Sequence, residues 1–350
     1  MEIFSGNDDQ NKVINFNLRE KPMRRILYLS FLVWLMAAPI SAARAGDLQA
    51  VTFIPQWAPQ SQFAGYYVAQ EKGFYRSRGL EVKILEGGPN FPPSALLHHG
   101  RADFGTMFLS TAIVKRAKGY NFVNIGQVGQ RSALMLVAKK SSGIKEPQDI
   151  NGKKVALWGE EFQIQPRAFF QQYRLHVTIL PQGTTMNLFL RGGVEVASAM
   201  WYNEYYRIIQ AGVDPNELTT FLLSDYGLKF PEDGIYCLES AYQKDPGKCR
   251  NFVQASLEGW RYAFTHVEEA LDIVMKYVNA ANLPTNRVHQ KWMLERMRDI
   301  IQPPGADISL GCLEEETYHQ VARELKNFGQ IDQIPDYRQF YRDCRSSHEK

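Results

Sequence analysis

Apolar and polar positions along this chain come in short bursts that switch between two periods. Val51, Phe53 and Ile54 make an apolar run suited to a buried strand. Pro55 and Pro59 break it. A helix is predicted from Ser61, which is placed to cap it, to Gly73, where glycine tolerates the left-handed residue after a helix. A second strand follows over 80–84 and ends in Gly87-Gly88-Pro89. Next come a short helix from Pro92-Pro93-Ser94 to His99, a strand over 103–107, a helix over 112–118 and strands over 122–126 and 134–138. Residues 143–152 are polar and contain Pro and Gly, which reads as a boundary. The pattern then restarts: strand 155–158, helix from about 165 to 173, strand 177–180, a helix ending at Gly192-Gly193, strand 196–200 and helix 202–210. A strand over 235–238 is expected to return to the first half. From Lys248 the periodicity is helical until Pro303-Pro304-Gly305 stops it.

The two halves echo each other weakly. Leu96 to Asp103 resembles Leu188 to Glu195: helix, glycine, acidic residue, strand. Alternating strands and helices imply an α/β fold with parallel sheets and crossover helices. Two such units predict two lobes. Lobe I takes 46–142 and 235–350, with the C-terminal helices over its back, and lobe II takes 143–234.

The first 45 residues change the picture of where the protein works. Lys21, Arg24 and Arg25 precede a 13-residue apolar run over 26–38, and Ala43-Arg44-Ala45 follows. A basic region, a short apolar core and an A-x-A site predict a secretory signal cleaved after Ala45. The run is shorter than the ~20 residues a membrane-spanning helix needs. Met23 is itself well placed as a start, so residues 1–22 read as an extension of the chain. The expected address is the periplasm. Removing 1–45 takes away six Lys/Arg and four Asp/Glu, leaving +1 of the formal +3. That balance gives no case for nucleic acid or an anionic membrane as partner. Four cysteines, Cys237, Cys249, Cys312 and Cys344, remain in the exported part, where they are disulfide candidates. Three pairings are possible; Cys237 with Cys249 and Cys312 with Cys344 close the shortest loops. No Cys or His spacing fits a metal site.

Ligands of open α/β sheets bind beyond the carboxyl ends of strands. The first such end carries Trp57, Gln60, Gln62 and Phe63, with core packing as the other reading of the two aromatics. The second carries Gly87 and Gly88, either a turn or a close backbone approach. The third carries Ser110 and Thr111, either of which can cap the next helix. Lobe II adds Trp158, Glu160 and Phe162, then Trp201, Tyr202, Asn203 and Glu204. Glu204 sits among aromatics, so it can take N–H bonds from an aminopyrimidine or amidine edge. It can equally pair with Arg207 three residues on. No Ser/His/Asp or Cys/His nucleophile arrangement appears, and no cofactor is expected.

The pattern Trp57-x-Pro59-x-x-x-Phe63-x-Gly65-Tyr66-Tyr67-Val68-Ala69-x-x-Lys72-Gly73-Phe74-Tyr75, then Gly79-Leu80-x-Val82, then Gly87-Gly88-Pro89, resembles the NMT1/THI5-like proteins. These are similar to sulfonate and nitrate receptors of ABC importers. The resemblance implies a two-lobed periplasmic binding protein of type II with a ligand cleft between lobes. It implies a monomeric receptor that carries a small planar heterocycle, such as a thiamine-precursor pyrimidine, to an ABC permease in the inner membrane. A sulfonate or nitrate ligand, or a sensor that signals to a membrane partner, are the alternatives. The family also includes a pyrimidine synthase with a PLP-binding lysine and an active-site histidine. Met107 and Thr111 stand at the matching positions here, and Phe63 replaces a further histidine of that enzyme. Methionine forms no Schiff base and threonine supplies no imidazole, so no catalysis is expected. The enzyme's phosphate loop resembles Gly159 to Gln165, but its lysine is Gln163 here.

Overall fold

The structure, a computed structural model, describes residues 48–305 and 309–345. The expected export signal and its cleavage site lie outside the described residues. Ten strands are described: β1 (Gln49–Ile54), β2 (Leu80–Ile84), β3 (Phe104–Phe108), β4 (Phe122–Gln127), β5 (Leu134–Lys139), β6 (Lys154–Leu157), β7 (Thr178–Pro181), β8 (Val196–Met200), β9 (Leu218–Leu222) and β10 (Asp233–Leu238). They form two five-stranded sheets, ordered β2-β1-β3-β10-β4 and β7-β6-β8-β5-β9. Helices pack on both, and the fold is α/β with one sheet in each lobe.

The sheets are mixed, where the alternating pattern predicts parallel ones. β1 runs parallel to β2 and β3, and β6 parallel to β7 and β8. β10 is antiparallel to β3 and β4, and β5 is antiparallel to β8 and β9. The reason lies in how the chain changes lobe. It passes from β4 into β5, and from β9 into β10, without a crossover helix to return it to the same end. The strand after each crossing therefore points the other way. The first crossing also falls earlier than expected: β5 belongs to the second sheet, so lobe II starts near Leu134 and residues 143–152 lie inside it. β9 was not foreseen. Its Leu-Thr-Thr-Phe-Leu sequence buries Leu218 and Phe221 and follows a short Asp-Pro turn.

Lobe I is held by a close contact between helix Ala64–Glu71 and helix Pro246–Thr265. Gly65 and Gly259 meet there: a Cβ on Gly259 would lie 2.0 Å from the Gly65 carbonyl oxygen. One on Gly65 would lie 2.3 Å from the Trp260 ring, which is fully buried. Gly73 follows the first helix with φ +75°, as the sequence predicts. Ser61 does not cap that helix. It opens a 3-10 turn, Ser61–Phe63, without a side-chain cap bond, and its backbone N–H donates to Gln290 Oε1 at 2.7 Å. Helix Leu109–Ala117 likewise lacks a side-chain cap, so neither Ser110 nor Thr111 serves as one.

The expectation of two disulfides is not met: Cys237, Cys249, Cys312 and Cys344 are all buried thiols. Cys237 on β10 and Cys249 on helix Pro246–Thr265 hydrogen-bond to each other. Cys312 Sγ donates to Glu314 Oε1 at 3.0 Å.

Candidate ligand cleft

The carboxyl ends of β1, β3, β6 and β8 converge on one cavity. Gln56, Trp57, Gln60 and Gln62 reach it from β1 and Phe108 from β3, all in lobe I. Trp158 and Phe162 follow β6, and Met200, Tyr202, Asn203 and Glu204 follow β8, all in lobe II. Phe162 is the hub of the aromatic wall. Its centroid is 5.5 Å from Trp57 at 88° and 5.4 Å from Phe108 at 85°. Trp57 and Trp158 meet edge-on at 6.0 Å. Edge-to-face pairs of this kind are favoured because the ring edge is positive and the face negative. The enclosed void measures about 20 Å³, space for roughly one water. Nothing as large as an aromatic ring fits this void unless the side chains of the two lobes part.

The polar side of the cavity is one chain of side-chain hydrogen bonds crossing between lobes. Gln56 Nε2 donates to Asp233 Oδ1, and Gln62 Nε2 donates to Asp233 Oδ2 at 2.9 Å. Gln60 Nε2 donates to Gln62 Oε1 at 2.6 Å. Asn203 Nδ2 then donates to Gln60 Oε1 at 3.3 Å and to Glu204 Oε1 at 2.8 Å. Glu204 Oε2 accepts the Met200 backbone N–H at 3.0 Å. Asn203 Oδ1 is buried without a partner, the kind of atom a ligand donor satisfies.

Burial sets the charges. Asp233 is pushed up to about 7, with the Gln62 bond pulling the other way. Glu232 beside it is raised by burial and by Asp233, and it accepts the Ala133 N–H, tying the two inter-lobe crossings together. Glu204 is raised by burial, against its bonds to backbone N–H groups and the field of Arg207.

Eight of the expected ligand residues line the cavity: Trp57, Gln60, Gln62, Trp158, Phe162, Tyr202, Asn203 and Glu204. Phe63 does not; it is fully buried in the lobe I core. Trp201 lies under the Arg296 guanidinium, 5.2 Å from the ring centroid. Gly87 is a packing residue: a Cβ there would lie 2.2 Å from the Pro55 carbonyl oxygen and 2.5 Å from that of Trp57. Gly88 and Glu160 line the outer rim. Ser110 is buried at a helix start, and Thr111 Oγ1 donates to the Glu161 carbonyl at 2.6 Å. Gln56, Phe108, Met200 and Asp233 were missed. Asp233 opens β10 opposite Phe108, the last residue of β3, and that antiparallel register brings it to the cleft. The signal available was the pair Glu232-Asp233 directly ahead of an apolar strand.

A two-lobed α/β architecture with its cavity at strand ends between the sheets is the periplasmic-binding-protein fold. A solved structure of the periplasmic aliphatic sulphonate binding protein SsuA from Escherichia coli shares this fold, with a TM-score of 0.62, 16% identity, and coverage of 83% of this chain and 91% of that one. A family model described as NMT1/THI5 like matches residues 60–270, and the chain belongs to that family. The riboflavin-binding protein RibY of Chloroflexus aurantiacus is 24% identical over 319 residues, covering 87% of this chain and 88% of its own length. The 4-amino-5-hydroxymethyl-2-methylpyrimidine phosphate synthase of Legionella pneumophila is 34% identical over 110 residues, about a third of each chain: 31% of this one and 35% of that one. Among the described residues no helix is long and apolar enough to cross a membrane.

Proposed function

We propose that this protein is a periplasmic receptor that closes on a small planar heterocycle and hands it to an ABC permease. A thiamine-precursor pyrimidine or a similar ring, such as the flavin named for RibY, fits the reading. The carrying observation is the cavity itself: five aromatic side chains from both lobes surround a chain of amides that ends in Asp233 and Glu204. Aromatic faces hold a ring, and the polar chain reads its edge. Among the described residues no Lys, Arg or His lines the cavity, which disfavours a sulfonate or nitrate, since small anions are held by charge-assisted donors.

The synthase reading is disfavoured by chemistry. Met107 is buried on β3, away from the cavity lining, and Thr111 is bonded to the Glu161 carbonyl. Neither offers the amine or imidazole of a PLP-dependent enzyme.

Calorimetric titration of the exported chain tests the proposal. Either 4-amino-5-hydroxymethyl-2-methylpyrimidine or riboflavin should bind at one site per chain. Trp57→Ala should weaken that binding at least about tenfold, a loss of ~1.4 kcal/mol. Binding of ethanesulfonate with neither heterocycle bound would replace the ring reading with the sulfonate one.

A further inference from the structure

A second compartment of about 280 Å³ adjoins the aromatic cavity and opens at the cleft rim. It shares Gln56 and Phe162 with the cavity, so a substituent on a bound ring leads directly into it. Glycines and prolines form half of its lining, and its charged residues are Lys115, Glu160 and Glu161. Among the described residues Lys115 is the one cation in that lining. Its Nζ lies 3.1 Å from Glu161 Oε1. Ser94 Oγ donates to the same carboxylate oxygen, and Thr111 Oγ1 donates to the Glu161 peptide carbonyl at 2.6 Å. Ser94, Thr111 and Lys115 belong to lobe I; Glu161 comes from lobe II.

Three lobe I donors near this rim, Ser94, Thr111 and Lys115, are thus held by Glu161, and the Gln56 amide is held by Asp233. Glu160 leaves the lining with one carboxylate in excess. A phosphate or sulfonate on the ligand would meet two carboxylates and a neutralised lysine. An uncharged hydroxyl group meets acceptors and polar backbone at no such cost.

Given the planar-ring reading, we infer that this compartment takes an uncharged, hydroxyl-bearing substituent of the ring, with Glu161 as the residue that excludes phosphorylated ligands. The compartment and the aromatic cavity form one bipartite site: a flat ring inside, a polar tail at the rim.

The experiment uses two ligand pairs that differ only in a phosphate. These are riboflavin with flavin mononucleotide, and 4-amino-5-hydroxymethyl-2-methylpyrimidine with its phosphate ester. Each is titrated by calorimetry into the exported chain and into Glu161→Gln. In the native chain the unphosphorylated member of the binding pair should be at least about tenfold tighter. Glu161→Gln keeps the shape and the hydrogen bond from Thr111 Oγ1 to the residue 161 backbone carbonyl but frees Lys115. It should raise the affinity of the phosphorylated member relative to its unphosphorylated partner about tenfold, a ratio that a change in closure common to both does not move. A melting curve of the variant confirms that it folds, and the native chain alone still tests the pair. A phosphorylated member that binds as tightly as its partner would overturn the inference and leave the receptor standing. Unchanged discrimination in Glu161→Gln would remove Glu161 from the role. Failure of both pairs to bind overturns the planar-ring reading and this inference with it.

Discussion

Asp233 and Glu204 close the two ends of the amide chain, and each behaves differently from a free carboxylate. Asp233 is raised to about 7 by burial, so the folded protein keeps a proton that the unfolded chain releases near ~3.9. Stability falls with pH wherever the native state binds more protons. From about pH 4 to about pH 7, this residue therefore makes the protein progressively less stable. Glu232, Tyr66, Tyr202 and Tyr236 share its field, and Gln56 and Gln62 bond to it. His289 slopes the other way over part of that window, so the Asp233 contribution is read as a difference: thermal melts should show Asp233→Asn gaining stability relative to the native chain as pH rises through it. Parallel profiles would mean that Asp233 does not carry the shift. His289 works on the acid side: burial and Arg207 lower it to about 4, so stability drops as pH falls below ~6.5. Glu204 lines the cleft, as expected. It also accepts the Met200 N–H and an Asn203 N–H while buried. Glu204→Gln places an NH₂ beside one of those donors and should cost ~1–3 kcal/mol in urea denaturation.

The elements meet where small residues allow it. Helices Ala64–Glu71 and Pro246–Thr265 touch backbone to side chain at Gly65 and Gly259. Gly259→Ala would drive a methyl against the Gly65 carbonyl, which is backbone and cannot rotate away. Overpacking of this kind costs ~1–3 kcal/mol, occasionally more, and urea denaturation should show it without loss of the second lobe's secondary structure. The thiols make a second prediction at this scale. Cys237 and Cys249 already bond across the β10–helix contact, so oxidation should link that pair before any other. Peptide mapping after mild oxidation checks it; a Cys312–Cys344 bridge forming first would contradict the geometry.

In the whole molecule, closure rests on contacts at both sides of the cleft. The Glu161 cluster holds one side. On the other, Tyr206 of lobe II stacks on Trp292 of helix Arg287–Ile301 at 4.6 Å and 8°, with Arg296 over both Trp292 and Trp201. Such hinge closure is biased by every contact made only in the closed state. Trp292→Ala should shift the molecule toward an open form, read as a larger radius of gyration in X-ray scattering without added ligand. An unchanged radius would leave closure to the Glu161 side and to the contacts across the cavity.

Apolar period and turn chemistry determined most of the elements on their own. A strand such as β8 and the helix ending before Gly73 are fixed by local sterics and by the need to bury one face. Strand ends could therefore be located, and with them eight of the cavity residues from Trp57 to Glu204. Strand direction was not legible, because a chain changing lobe reverses its sense without any local signal. That reversal sets β10 beside β3, and only the register Asp233 to Phe108 brings a buried carboxylate behind Gln56 and Gln62. Phe63 and Trp201 show the converse. Their types suited a ring-binding site, but the side of the backbone they leave from points them into the lobe I core and under Arg296. The residue types at the cleft were written in the chain; which of them face each other across it depends on contacts between segments far apart in sequence, and those only the tertiary structure decides.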